Sequence, residues 1–221
     1  LGDLAPVWSA KMVHQSGIDG EKLIRSLPMY DEMRVELMAG QYLDVYEQAL
    51  ASESVERSLK VARYKSGKYT IERPLHFGAA LGNGEPDLFE TYSKYGLPLG
   101  EAFQLRDDIL GIFGDPQETG KPAGDDLREG KRTVLLAKVM ELADSSQKSE
   151  ISSALGNQNL DIAQVNKVRD IFISTGALSE VEELISTLTS NAQSALEHGE
   201  IDPLALSALT QLLTIVTQRK L

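Results

Sequence analysis

One helical segment, residues 103–113, constrains the fold and the chemistry of this chain more than any other stretch. Four of its residues recur at spacings of three and four and share one helix face: Gln104, Asp107, Asp108 and Gly111. The helix is predicted to end at the following Gly-Asp-Pro sequence, because proline lacks the amide donor that a continuing helix needs. Neighbouring carboxylates repel each other, so a chain keeps them together where a cation lies between them or where water solvates both.

A glycine-rich loop that carries lysines follows this acidic helix directly. Its glycines and lysines are Gly120, Lys121, Gly124, Gly130 and Lys131. Mg²⁺ is usually held by one or two carboxylates together with substrate phosphates, and lysines reach the same phosphates as point charges. The two segments together indicate a site for Mg²⁺ and a phosphate-bearing ligand, although an aspartate pair alone is more often a solvated helix face.

The rest of the chain carries helical signals, and no run alternates apolar and polar residues as a strand does. We predict helices over 3–15, 20–49, 86–113, 133–144, 146–155, 161–176 and 177–198. A third helix begins at Ser52 or Ser54 and breaks near Lys65, Pro28 kinks or divides the second, and Pro203 opens the last. The sequence therefore predicts one all-α domain, residues 1–221, of eight or nine helices.

Composition excludes several classes of function. The chain has 22 Lys and Arg against 33 Asp and Glu, a net charge of −11, which argues against nucleic acid and against a polybasic membrane patch. It has no cysteine, so it has no thiolate metal site and no disulfide framework. No apolar run approaches the ~20 residues that span a bilayer, and the first residues lack a signal-peptide pattern. We expect a cytoplasmic protein without stable membrane insertion.

Five features, in order, resemble the trans-isoprenyl diphosphate synthases, the polyprenyl synthetase family. They are Gly2-Asp3, the G-Q-x-x-D pattern of residues 40–44, Lys65-Ser66, Phe103-Gln104 and Asp107-Asp108, and with the lysine loop they span residues 2–133. By pattern alone Lys65 and Lys68 are ordinary surface lysines, and the resemblance changes that interpretation for Lys65 only. It implies part of an isoprenoid-synthase-type helical bundle.

The resemblance also implies an activity and a set of roles. The activity is that of a Mg²⁺-dependent prenyltransferase, a homodimer, which condenses an allylic diphosphate with isopentenyl diphosphate to make a geranylgeranyl-type or similar product. Asp107 and Asp108 would hold the metal, and Lys65 and Lys121 would contact the leaving diphosphate. The remaining residues implied at the site are Gln104, Asp44, Gln41, Ser66 and Lys131.

Two departures from the family pattern leave alternatives open. The family's second aspartate motif is often D-D-x-x-D, and its last position is Gly111 here. The first D-D-x-x-D motif and the basic residues for the second substrate would precede Leu1, so we expect a polypeptide of these 221 residues alone to lack elongation activity and to associate through uncovered apolar surface. The alternatives are an enzyme that cyclises or hydrolyses allylic diphosphates and a non-catalytic subunit of a prenyl synthase.

Overall fold

The computed structural model describes residue 2, residues 4–120 and residues 122–217. These residues form twelve α-helices and one π-helix, and none of them lies in a strand. The helices are α1 (Leu4–His14), α2 (Gly20–Ala49), α3 (Val55–Ala62), π1 (Arg63–Glu72), α4 (Arg73–Gly82), α5 (Pro86–Phe113), α6 (Pro116–Thr119), α7 (Asp125–Glu129), α8 (Val134–Leu142), α9 (Ser145–Ala154), α10 (Ile162–Ser174), α11 (Ala177–His198) and α12 (Pro203–Thr217). The all-α prediction is confirmed.

Side chains at the helix starts explain why several predicted boundaries are correct. Asp19 accepts a hydrogen bond from the amide of Glu21 at 3.1 Å and caps α2. Ser54, rather than Ser52, caps α3. Asp161 forms a capping box at the start of α10. These signals are local in sequence, so they need no tertiary contact to act.

The predicted break near Lys65 is wrong. The chain stays helical from α3 to α4, and its middle part widens into π1. A π-helix forms i→i+5 hydrogen bonds and is frequent at functional sites. Pro74 is the second residue of α4, directly after π1, and the chain remains helical through it.

The predicted number of helices is also too small. Pro28 lies inside a continuous α2, so it does not divide that helix. The segment between α5 and α8, expected to be an irregular loop, contains the short helices α6 and α7. Asp115 caps α6 by accepting from the amide of Gln117 at 2.8 Å. No helix in the part of the chain that the structure describes is both long and apolar enough to cross a membrane.

The central helix α5 packs against π1, α7, α8, α11 and α12. Its apolar side is fully or almost fully buried at Leu99, Ala102, Leu105, Ile109 and Ile112. Burial of these side chains anchors the helix by the hydrophobic effect and fixes its rotation. The face with Gln104, Asp107, Asp108 and Gly111, which we call the acidic stripe, is thereby directed away from the apolar core and toward π1 and α7.

Candidate active site

Close packing at glycines holds π1 between α2 and α5. A methyl group at Gly40 of α2 would overlap the backbone of Lys65. A methyl group at Gly100 of α5 would overlap the backbone of Gly67. Glycine permits such an approach because it has no Cβ. The glycine of the G-Q-x-x-D pattern therefore has a packing role, which is to bring α2 against the lysine of π1.

A cavity of about 190 Å³ opens where π1, α5 and the segment after α7 meet. Its lining residues are Asp44, Ser58, Val61, Ala62, Lys65, Ser66, Gln104, Asp107, Asp108, Lys131, Arg132 and Thr133. We call this cavity the charged cleft. It brings together seven of the nine predicted site residues. The other two are Gln41, which lies exposed on α2 outside this lining, and Lys121, which lies outside the described residues.

A chain of hydrogen bonds joins π1 to the acidic stripe. The Ser66 hydroxyl donates to Oε1 of Gln104. Nε2 of Gln104 then donates to Oδ1 of Asp108 at 2.7 Å. The two bonds fix the orientation of the Gln104 amide, so Ser66 and Gln104 together hold one carboxylate of the stripe in place.

Lys65 and Asp44 form an ion pair across the α2–π1 contact. Nζ of Lys65 lies 2.6 Å from Oδ2 of Asp44. The Lys65 side chain is 35% exposed and that of Asp44 is 17% exposed, so the pair borders the charged cleft and solvent. An ammonium group carries three donors, so Lys65 keeps donors for a further anion while it remains paired with Asp44.

The environment of Asp108 strongly perturbs its pKa. Burial, with the negative charges of Asp126 and Asp107, raises the pKa of Asp108 from 3.8 to about 8, against the opposing hydrogen bond from Gln104. A carboxyl group in this position holds its proton at neutral pH unless a cation compensates the charge. Such a perturbation marks a candidate functional residue.

Asp126 of α7 belongs to this site, and the sequence analysis missed it. A methyl group at Gly111 would overlap its carboxylate, and Asp126 itself is buried. Lys131 donates to Oδ1 of Asp126 and lies 3.3 Å from Glu129. Burial lowers the pKa of Lys131, but the hydrogen bond and charge of Asp126 outweigh it and raise that pKa above its usual range. The family's D-D-x-x-D motif often ends in an aspartate where this chain has Gly111. That missing carboxylate is the signal that could have prompted a search for a replacement such as Asp126.

The carboxylates of the cleft suit a Mg²⁺ ion that also binds oxygen atoms of a ligand. Carboxylate oxygens are the hard ligands that Mg²⁺ prefers. Within residues 4–120 and 122–217, no three His, Cys, Asp or Glu side chains are placed to enclose a metal ion. Asp107 and Asp108 fit a metal whose remaining ligands are water and phosphate oxygens, which is how Mg²⁺ is commonly bound.

Lys68 is not the surface lysine that its pattern suggested. It donates to Glu36 of α2, lies 3.7 Å from Glu72, and its side chain is only 14% exposed. Arg73 binds Glu36 as well, at 2.6 Å. This buried ion cluster lies on the same α2–π1 contact as Gly40 and fixes the two helices relative to each other.

Comparison with known proteins decides the family. The polyprenyl synthetase family model matches residues 2–172. The chain belongs to the polyprenyl synthetase family. It is 28% identical over 222 residues to a geranylfarnesyl diphosphate synthase of Aeropyrum pernix, covering 99% of this chain and 68% of that protein. It is 28% identical to a geranylgeranyl diphosphate synthase of Sulfolobus acidocaldarius, covering 77% of this chain and 52% of that protein.

A solved structure shows the same fold over almost the whole chain. The geranylgeranyl pyrophosphate synthase of Corynebacterium glutamicum, crystallised with isoprenyl diphosphate and magnesium, superposes with a TM-score of 0.95 at 41% identity. That match covers 99% of this chain and 62% of the other. This polyprenyl synthetase chain thus spans about half to two thirds of the length of such relatives.

The raised pKa of Asp108 predicts how the stability of this polyprenyl synthetase chain depends on pH. The folded chain keeps a proton on Asp108 that the unfolded chain releases, so this group's contribution to stability falls as pH rises from about 4 to about 8. The Asp108→Asn variant lacks this pH-dependent contribution, because asparagine does not titrate. We expect the melting temperature of the unsubstituted protein, measured without Mg²⁺, to fall relative to that of Asp108→Asn over this range. Parallel curves for the two proteins would contradict the assignment.

Proposed function

We propose that this chain forms part of a Mg²⁺-dependent prenyltransferase that condenses an allylic diphosphate with isopentenyl diphosphate. The product is a longer polyprenyl diphosphate of geranylgeranyl type or similar. The observation that carries the proposal is the charged cleft, in which Asp107 and Asp108 of α5 lie with Lys65 of π1 and Lys131. The Corynebacterium glutamicum relative, whose crystals contain isoprenyl diphosphate and magnesium, supports it.

The residues of the cleft divide into metal ligands and diphosphate ligands. Asp107 and Asp108 offer carboxylate oxygens to Mg²⁺, which when bound neutralises charge on a leaving diphosphate. Lys65, with donors beyond its bond to Asp44, contacts that diphosphate. Lys131 acts beside it as a further cation, and Gln41 contributes from the exposed face of α2. Lys121, outside the described residues, keeps the diphosphate contact that the resemblance implies for it.

Prenyl transfer needs the bond between the allylic carbon and the diphosphate oxygen to break, with the electron pair leaving on oxygen. Lysines fixed in a partly buried cleft stabilise this charge without reorganising, so they act by electrostatic preorganisation. The alkene of isopentenyl diphosphate then forms a carbon–carbon bond to the allylic cation, and a proton is lost. Ser66 and Gln104 keep the acidic stripe aligned throughout this sequence.

A large, mostly apolar groove along α2 suits the hydrocarbon tail. It has a volume of about 1060 Å³ and is lined by α1, by Met33, Leu37 and Met38 of α2, and by Tyr69 of π1. Tyr69 follows Lys65 by four residues and Leu37 precedes Gln41 by four. The groove and the residues proposed to bind the diphosphate therefore lie on the same two helices, α2 and π1.

We also propose that the full-length protein is a homodimer. Apolar side chains exposed on α1 and α2 outside the groove, among them Trp8, Met12 and Val45, support a buried contact there. Sedimentation equilibrium of the full-length protein tests the proposal, and a monomer at all concentrations contradicts it. The cytoplasmic location remains a prediction.

Product analysis of the full-length protein tests the function. The protein is incubated with Mg²⁺, carbon-13-labelled isopentenyl diphosphate and dimethylallyl, geranyl or farnesyl diphosphate, and the products are identified by mass spectrometry. The proposal expects labelled, longer diphosphates that need both substrates and Mg²⁺. Unlabelled cyclic or hydrolysed products would identify a cyclase or hydrolase, and no product from any substrate would indicate a non-catalytic subunit.

A further inference from the structure

Arg132 differs from every other arginine in the described part of the chain. Eight of these arginines donate a side-chain hydrogen bond to a carboxylate or a carbonyl oxygen: Arg25, Arg34, Arg57, Arg63, Arg73, Arg106, Arg128 and Arg169. Within residues 4–120 and 122–217, the side chain of Arg132 has no such partner. Its Nε atom is buried and makes no hydrogen bond there; the same holds for Nε of Arg34 and Arg106, but their terminal nitrogens are bonded.

Arg132 is also set apart from the lysines of the charged cleft that it lines. Lys65 is paired with Asp44, and Lys131 is paired with Asp126. In a chain with 33 Asp and Glu against 22 Lys and Arg, carboxylates are plentiful. A ligand oxygen would supply the partner that the buried Nε of Arg132 lacks, because a buried donor loses hydration and gains nothing in return unless it is bonded.

The backbone of Arg132 is held on both sides. Its carbonyl oxygen accepts from the hydroxyl of Ser58 on α3 at 3.1 Å. The next residue, Thr133, caps α8 by accepting from the amide of Leu136 at 3.1 Å. The side chain therefore starts from a fixed point on the wall of the cleft. The guanidinium can thus bind a ligand in the cleft without any rearrangement of the main chain that carries it.

We propose that Arg132 binds a diphosphate group in the charged cleft. A guanidinium group presents parallel donors that match two phosphate oxygens, which a lysine ammonium does not. The inference rests on the proposed function, since it takes a diphosphate as the ligand. The diphosphate belongs either to the allylic substrate or to isopentenyl diphosphate, and both offer the same oxygens to Arg132.

Binding of inorganic diphosphate tests the proposal directly. Calorimetry in the presence of Mg²⁺ compares the unsubstituted full-length protein with the variants Arg132→Gln and Arg132→Lys. The control is Lys22→Gln, a substitution that removes a charge from the exposed first turn of α2. We expect Arg132→Gln to weaken binding by about tenfold or more, since bonds to charged groups are among the strongest. Arg132→Lys should lose less, and Lys22→Gln should bind like the unsubstituted protein. All melting temperatures should agree within a few degrees.

The outcomes separate this inference from the function itself. Unchanged diphosphate affinity in Arg132→Gln, in a protein that elongates its substrate normally, overturns the role of Arg132 and leaves the function intact. An unsubstituted protein that binds no diphosphate and elongates nothing overturns both. Steady-state kinetics assign the source, because a higher KM for the allylic substrate alone, or for isopentenyl diphosphate alone, identifies whose diphosphate Arg132 contacts.

Discussion

Replacing Asp107 with alanine in the full-length protein is expected to lower turnover by about a hundredfold or more, as the loss of one transition-state contact commonly does. Asp107 lies in the acidic stripe of α5 and lines the charged cleft. Its side chain is outside the buried apolar face of that helix. Helix content and melting temperature should therefore change little, and the loss should appear in the rate.

Asp87→Ala is a matched control on the same helix, since Asp87 lies exposed in the first turn of α5. Turnover of this control should stay within a factor of about two, because surface substitutions rarely have large effects. Steady-state rates across a range of Mg²⁺ concentrations give the comparison. If the protein that carries both Asp107→Ala and Asp108→Ala kept normal rates at limiting Mg²⁺, the assignment of these residues as metal ligands would be wrong.

The second large effect is expected at Gly40, where alanine should destabilise the fold and disable the site together. The added methyl group would overlap backbone atoms of Lys65, which cannot rotate away as a side chain can. α2 and π1 must then separate, at a cost of about 1–3 kcal/mol for overpacking. The same separation would lengthen the Lys65–Asp44 ion pair, which spans this contact.

Gly78→Ala is the control for this effect. Gly78 lies within α4, and a methyl group there meets nothing within 4 Å, so alanine should stabilise that helix by roughly 0.5–1 kcal/mol. Urea unfolding gives the free energy for both variants, and turnover is measured in parallel. If Gly40→Ala were as stable and as active as Gly78→Ala, the proposed role of the α2–π1 contact would be wrong.

Local signals explain what the sequence could predict. The spacing of Gln104, Asp107 and Asp108 places them on one helix face whatever surrounds the helix. Capping side chains such as Asp161 act within four residues of themselves. These features predict the all-α class and the acidic side of the charged cleft, whereas Lys65, Ser66 and Asp44 were implied only by the family resemblance.

Tertiary contacts explain what the sequence could not predict. The π-helical winding of π1 coincides with backbone contacts to Gly40 and Gly100, which lie far away in the chain. Lys68 is buried because its partner Glu36 lies 32 residues earlier, on another helix. Asp126 reaches Gly111 only because α7 folds back against α5. A pattern within a single helix contains none of this information.

A crystal structure of the full-length protein with Mg²⁺ and a non-ionising allylic thiolodiphosphate tests the central claim most directly. The claim is that the charged cleft binds a substrate diphosphate together with Mg²⁺. We expect diphosphate density in this cleft beside Lys65, with Mg²⁺ in contact with Asp107 and with diphosphate oxygens. Diphosphate bound elsewhere on the protein, with the cleft filled only by water, would contradict it.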